Sequence, residues 1–138
     1  MYESGLMMIK EVDIRCHLYG ESFSPMKIEK STGITLENKI EVGDIVSKGR
    51  CKGEPSSYGN GELCPQDEYK NSEDYGLLWI AETLQKHIDV FRSYGAKDID
   101  LVIGVFYEGQ CNFVLEPKAI KVIGELGIPL QVSCYESY

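Results

Sequence analysis

No run of about 18 apolar residues occurs anywhere in the sequence, which excludes a hydrophobic helical span. The opening Met1-Tyr2-Glu3-Ser4-Gly5-Leu6 also lacks the basic-then-apolar order of a secretory signal, so the expected location is the cytoplasm. Positive charge is scarce: 14 Lys and Arg face 22 Asp and Glu, leaving a formal −8. A field of that sign repels nucleic-acid phosphates and anionic membranes, which argues against both as partners and in favour of a basic protein. Cys-x-x-Cys is missing too. The five cysteines, Cys16, Cys51, Cys64, Cys111 and Cys134, are odd in number, whereas a disulfide scaffold is normally shorter, secreted and even-numbered, so reduced thiols are expected.

Reactive constellations are equally sparse. The two histidines, His17 and His87, lie far apart in sequence and neither stands beside a nucleophile, so no catalytic pair is expected. Cys51 and Cys64 with His17 match no compact zinc spacing, and no metal or other cofactor is expected. Gly59-Asn60-Gly61 lacks the Lys-Ser/Thr of a phosphate loop and reads as a turn. The acid pairs Asp67-Glu68 and Glu73-Asp74 lack the oxygen-ligand spacing of a calcium loop.

What is present is the material of one core. At 138 residues and 43% hydrophobic content the chain fits a single domain. Its strongest stretch is Asp-Ile-Asp-Leu-Val-Ile-Gly-Val-Phe-Tyr from Asp98 to Tyr107. There Ile99, Leu101, Ile103 and Val105 alternate, while Val102, Gly104 and Phe106 leave the opposite register largely apolar as well. That is the pattern of a central strand, with Gly104 best read as a packing position. Residues 1–8 read as a loose leader, with Met7 and Met8 as alternative starts to Met1, and 9–138 as the domain. Val12, Ile14, Cys16 and Leu18 alternate with Asp13, Arg15, His17 and Tyr19, predicting a strand with one dry and one wet face. Ser24 and Pro25 open a helix over 25–32 that Gly33 stops. Segments 34–36 and 40–46 read as extended, joined through Glu37-Asn38-Lys39. Leu77-Leu78-Trp79-Ile80 reads as a short strand with Trp79 plugging the core, followed by a helix over 82–94. A third helix opens at Pro117 and closes at Gly127, and Leu130, Val132 and Cys134 mark a last strand running almost to Tyr138. The strand, Phe23-Ser24-Pro25-x-x-Ile28, helix, Gly33-Ile34 order is echoed by strand, Leu115-Glu116-Pro117-x-x-Ile120, helix, Gly127-Ile128, which suggests a βαβ pseudo-repeat.

From 50 to 75 the hydrophobic period vanishes among Gly53, Pro55, Gly59, Gly61 and Pro65, predicting a long acidic loop. Carboxylates steer cationic partners and tyrosines add rigid contact area. The candidate partner-binding residues are therefore Glu54, Tyr58, Glu62, Asp67, Glu68, Tyr69, Glu73, Asp74 and Tyr75. The wetter sheet face, with Asp13, Arg15, His17, Gln131 and Tyr135, is the companion surface.

Several of these segments together resemble a known family. Leu18-Tyr19-Gly20-Glu21-x-Phe23-Ser24-Pro25, the Gly43-Asp44 and Lys48-Gly49 pairs before a variable loop, Gly76-Leu77-Leu78-Trp79 and the closing Leu126-Gly127-Ile128-Pro129-Leu130 look like domain of unknown function family 4279. The resemblance covers most of the chain from Val12 onward. It implies an α+β arrangement, no established catalytic residues, and an association with bacterial toxin and immunity gene neighbourhoods. The expected architecture is one α+β domain, a mixed or antiparallel sheet of about five strands with three helices mainly on one face. The expected role is non-catalytic: an immunity protein that neutralises a basic bacterial toxin, such as a nuclease domain, by steric occlusion and charge complementarity. The alternative is a small-molecule-binding protein or enzyme with a pocket between the sheet and the 50–75 loop, using Cys51, Cys64 or a histidine. A homo-oligomeric module pairing through an edge strand is a third class.

Overall fold

Two long strands, β1 (Met7–Gly20) and β4 (Asp98–Gly109), form the middle of the sheet because each carries an unbroken apolar register. They pair antiparallel with Val12 opposite Val105, Ile14 opposite Ile103, Cys16 opposite Leu101 and Leu18 opposite Ile99, and all eight side chains are buried. Withdrawing each aliphatic side chain from water is worth about 1.5–3 kcal/mol, so this ladder anchors the core. The structure is a computed structural model that describes residues 7–137. Of the expected leader, 1–6 lie outside the described residues, while Met7 and Met8 already pair with Gly109 and Glu108 in β1.

The remaining elements are α1 (Pro25–Thr32), β2 (Glu37–Ile40), β3 (Gly59–Leu63), α2 (Asp67–Lys70), α3 (Leu77–Ser93), α4 (Pro117–Leu126) and β5 (Leu130–Glu136). The five strands make one mixed sheet in the order β2-β3-β1-β4-β5, antiparallel except for the parallel β4–β5 pair. The apolar sides of α1, α3 and α4 pack on one face, giving the expected α+β domain with a single core. Both halves of the sequence echo are βαβ units. In β4-α4-β5 the two strands are neighbours; in β1-α1-β2, both antiparallel to β3, that strand stands between them. The helix starts differ in detail. Ser24 accepts a hydrogen bond from the Lys27 N–H, whereas Glu116 makes no side-chain cap.

Three expectations need correction. Residues 50–75 are not one loop: they hold β3 and α2. Strand β3 escaped the hydrophobic pattern because glycines take two of its inward positions. A Cβ on Gly59 would strike the Phe23 carbonyl oxygen, and one on Gly61 would come within 3.0 Å of the Leu36 side chain. Second, Leu77-Leu78-Trp79-Ile80 is the first turn of α3. A four-residue apolar run fits a strand or a buried helix equally, and here Leu77, Ile80, Ala81, Leu84, Ile88 and Phe91 share one buried helical face. Trp79 lies beside that stripe, half-buried, with its ring 5.6 Å from that of Tyr69. Third, Glu37-Asn38-Lys39 is strand rather than connection, and residues 43–56 form a two-stranded arm closed by Val46 N–H to Glu54 O (2.9 Å), Gly53 N–H to Val46 O (2.8 Å) and the Ile45–Pro55 bridge.

Candidate functional site

With α1, α3 and α4 on one side, no helix layer among the described residues covers the other face of the sheet, which α2 only borders at Asp13, Arg15 and Glu37, and the odd register of β1 sets its chemistry. Asp13, Arg15, His17 and Tyr19 lie opposite Gly104, Val102, Asp100 and Asp98 of β4; His17 and Tyr19 lie opposite Glu62 and Asn60 of β3; and Glu37 of β2 lies opposite Glu62. Arg15 is the hub. Its Nε donates to Asp13 Oδ2 at 2.7 Å and its Nη1 to Glu62 Oε1 at 2.8 Å, with Glu37 Oε1 at 3.7 Å. Those hydrogen bonds, to Asp13 first and Glu62 second, hold the guanidinium proton more tightly than usual. His17 Nδ1 sits 3.6 Å from Glu62 Oε2, and Asn38 Nδ2 donates to Glu62 Oε1 at 2.8 Å. Asp98 and Asp100 are exposed.

Aromatic pairs frame this charged strip. Tyr19 and Tyr58 stand 4.8 Å apart at one end, and Phe106 and Tyr135 stack at 5.0 Å at the other. Between them Gly104 leaves a hollow of about 170 Å³ over the sheet, bordered by Asp13, Arg15, His17, Phe106 and Tyr135. Gly104 thus opens space on the wet face instead of making room in the core: a Cβ there would meet nothing nearer than 3.7 Å.

The structure scatters the nine residues expected in one acidic loop. Tyr58 and Glu62 join the open sheet face, in line with β3. Glu54 is on the arm, whose tip, Ser47-Lys48-Gly49-Arg50-Cys51-Lys52-Gly53, is basic and exposed. Asp67, Glu68 and Tyr69 ride on α2. Glu73 is exposed, and Tyr75 takes a left-handed backbone (φ 58°) with its ring 5.8 Å from Phe113. Asp98, Asp100, Glu37, Tyr19 and Phe106 were not among the nine. The alternation of the two long strands carries the signal of all of these but Glu37, which lies on β2, and the pairing that unites them has no local signature.

Asp74 serves the fold. Its carboxylate accepts from Gly76 N–H (3.0 Å), Leu78 N–H (2.9 Å) and Ser72 O–H (2.8 Å), satisfying donors at the start of α3. Burial alone would raise its pKa, but the hydrogen bonds from Leu78, Ser72 and Gly76 together outweigh it and hold the group below the ordinary 3.8. A depressed folded pKa stabilises above the unfolded value and is lost as pH falls through the folded one. Asp74→Ala is therefore expected to cost about 1–2 kcal/mol near neutral pH, a gap that closes at strongly acid pH. Urea unfolding of both proteins across pH checks this.

Burial pushes the Cys64 thiol up to about 12, and the buried Cys16 thiol rises further, so both are poor nucleophiles at neutral pH. Burial and then a hydrogen bond with Cys134 also raise Cys111. Cys134, on the apolar register that marks the last strand, is exposed because β5 is an edge strand. Among the described residues no three His, Cys, Asp or Glu are placed to hold a metal, and no helix is long and apolar enough to cross a membrane.

A larger cleft of about 640 Å³ opens where residues 72–75 meet the segment leading into α4, lined by Ile9, Tyr75, Leu78, Phe113 and Lys118 among others. Neither a cysteine nor a histidine borders it. In comparisons with known proteins, no curated protein and no solved structure matches the chain. The family described as a domain of unknown function (DUF4279) matches residues 11–137. That match runs from the start of the polar register of β1 to the end of β5, and the chain belongs to the DUF4279 family.

Proposed function

We propose that this protein is a non-catalytic binding module that docks a basic protein on its open sheet face. The observation that carries the reading is the composition of that face. Asp13, Glu37 and Glu62 surround one arginine, Asp100 and Asp98 stand farther along the same face opposite His17 and Tyr19, the Tyr19–Tyr58 and Phe106–Tyr135 pairs lie at the ends, and no helix layer among the described residues covers them. Carboxylates steer and orient a cationic surface, and rigid aromatic rings supply contact area at small entropic cost. In its sharpest form the module is an immunity-type protein of the bacterial cytoplasm that covers a basic toxin domain by steric block and charge complementarity. Nucleic acid and membranes are disfavoured by the same −8 field.

The test is binding to a cationic toxin domain encoded beside this gene, measured by calorimetry over a salt series. Affinity should fall steeply with salt, and Asp98→Lys with Asp100→Lys should weaken it about 100-fold or more. Reversal at Glu68, which lies on α2 away from the hollow that Asp67 shares with Asp13, Arg15 and Glu37, separates the face from α2 and should change affinity by less than about threefold. Binding that ignores salt and the Asp98/Asp100 reversal would refute the reading.

The second reading, a small-molecule binder, is favoured by the size of the cleft beside Tyr75 and Phe113, which suits a drug-sized ligand. It would act without the thiols and imidazoles first considered for it, since none of them borders the cleft.

A further inference from the structure

The two edges of the sheet are built differently. At one, β2 has four residues, a register shift against β3, a left-handed Asn38 (φ 49°) and Lys39, which are the devices that keep an edge from recruiting another strand. At the other, β5 has seven residues in unbroken register with β4 and contains no lysine, proline or bulge. From Ile128 to Tyr135 it has no charged side chain, on a chain of net charge −8.

The hydrogen bonds settle which backbone groups of β5 face outward. Leu101 N–H donates to Pro129 O (3.1 Å) and Ser137 N–H to Tyr107 O (2.9 Å), so the odd-numbered residues of β5 turn their polar groups toward β4. Leu130, Val132 and Cys134 therefore point their N–H and C=O groups away from the sheet, and no partner for them exists among the described residues. Val132 and Tyr135 on the same strand are 45% and 54% exposed, more than burial in a finished sheet would leave.

We propose that the outer edge of β5 pairs with β5 of a second copy of this chain, antiparallel about a two-fold axis at Val132, so that two sheets join into one. Identical strands related by a two-fold are self-complementary by construction. Centred at Val132, the register sets Leu130 against Cys134 of the second copy and Val132 against its own equivalent. The outward backbone groups of Leu130, Val132 and Cys134 are then satisfied, and the exposed Val132 side chains cover each other. Electrostatics selects this edge as well: two strongly acidic molecules meet along Ile128–Tyr135, where neither presents a charge, and the one carboxylate of the strand, Glu136, falls at its end opposite Ile128 of the second copy. A basic partner suits the open sheet face, whereas this uncharged strip has nothing to offer it.

The experiment is light scattering of the 138-residue chain over a concentration series, with two variants. Wild type should reach twice 15.5 kDa. Val132→Lys places two ammonium groups opposite each other at an already exposed site, and should raise the dimer dissociation constant about tenfold or more while leaving the circular dichroism unchanged. Val132→Cys should form a reducible dimer, because facing Cα atoms in a hydrogen-bonded antiparallel pair lie about 5.5 Å apart, within disulfide reach. A wild type that stays at 15.5 kDa, a dimer untouched by Val132→Lys, or a Val132→Cys protein without the cross-link would overturn the proposal.

Discussion

Gly20→Ala is expected to cost about 3 kcal/mol or more, a large share of the roughly 5–15 kcal/mol that keeps a domain folded. The cause is a backbone crossing. A Cβ on Gly20 would run into the Gly95 carbonyl oxygen, with the Gly95 carbonyl carbon at 3.1 Å and the Lys97 nitrogen at 3.2 Å. None of those atoms is the end of a flexible side chain. They belong to the junction at which α3 hands the chain to β4, tied there by Lys97 N–H to Tyr19 O (2.9 Å) and Ser24 N–H to Tyr94 O (3.3 Å). Relieving the clash means pulling that junction away from β1 and breaking both bonds, beyond the usual 1–3 kcal/mol cost of overpacking. Gly104→Ala is the internal control. In the middle of β4, its added methyl meets nothing within 3.7 Å, so the change should stay within about 0.5 kcal/mol. Urea unfolding of the two variants beside wild type checks both, and equal costs would show that close approach at Gly20 is not what holds that corner.

Other glycines decide how much of the fold is legible in the sequence. Strands β1 and β4 were legible because long-range pairing and local alternation agree in them: Ile14, Cys16 and Leu18 face Ile103, Leu101 and Ile99. Helices α1 and α4 were legible from Pro25 and Pro117 at their first turns and from Gly33 and Gly127, both left-handed, at their ends. Strand β3 was not, because Gly59 and Gly61 stand where a hydrophobic residue would have signalled the inward face. Glycine there is required by Phe23 and Leu36 pressing on the backbone, a fact of tertiary packing that no local window contains. The candidate site divides along the same line. Tyr58 and Glu62, expected on a loop, lie on the open face. Asp98 and Asp100 carry no such local signal, since nothing in β4 alone reveals that its polar register stands beside His17 and Tyr19. Asp74 looked like free surface charge, yet three donors near the start of α3 already hold it.

Arg15→Met is expected to destabilise the protein by about 2 kcal/mol, between the small value of an exposed ion pair and the 3–5 kcal/mol of a buried one. The placement justifies the intermediate figure: the Arg15 side chain is 31% exposed and that of Glu62 only 13%. Most of the loss comes from what remains, with Asp13, Glu37 and Glu62 crowded together without their counter-charge. Adding Glu62→Gln should therefore return about 1 kcal/mol, so that the double variant is more stable than Arg15→Met alone; strictly additive costs in a double-mutant cycle would rule this out. The substitution also separates stability from recognition. Removing a positive charge from the open face, and freeing two carboxylates that Arg15 now occupies, strengthens the field offered to a basic partner. On the docking reading, Arg15→Met should bind that partner at least as tightly as wild type while unfolding more readily, whereas a face that served stability alone would show only the second effect. Calorimetry at low salt, run beside the unfolding curves, distinguishes the two.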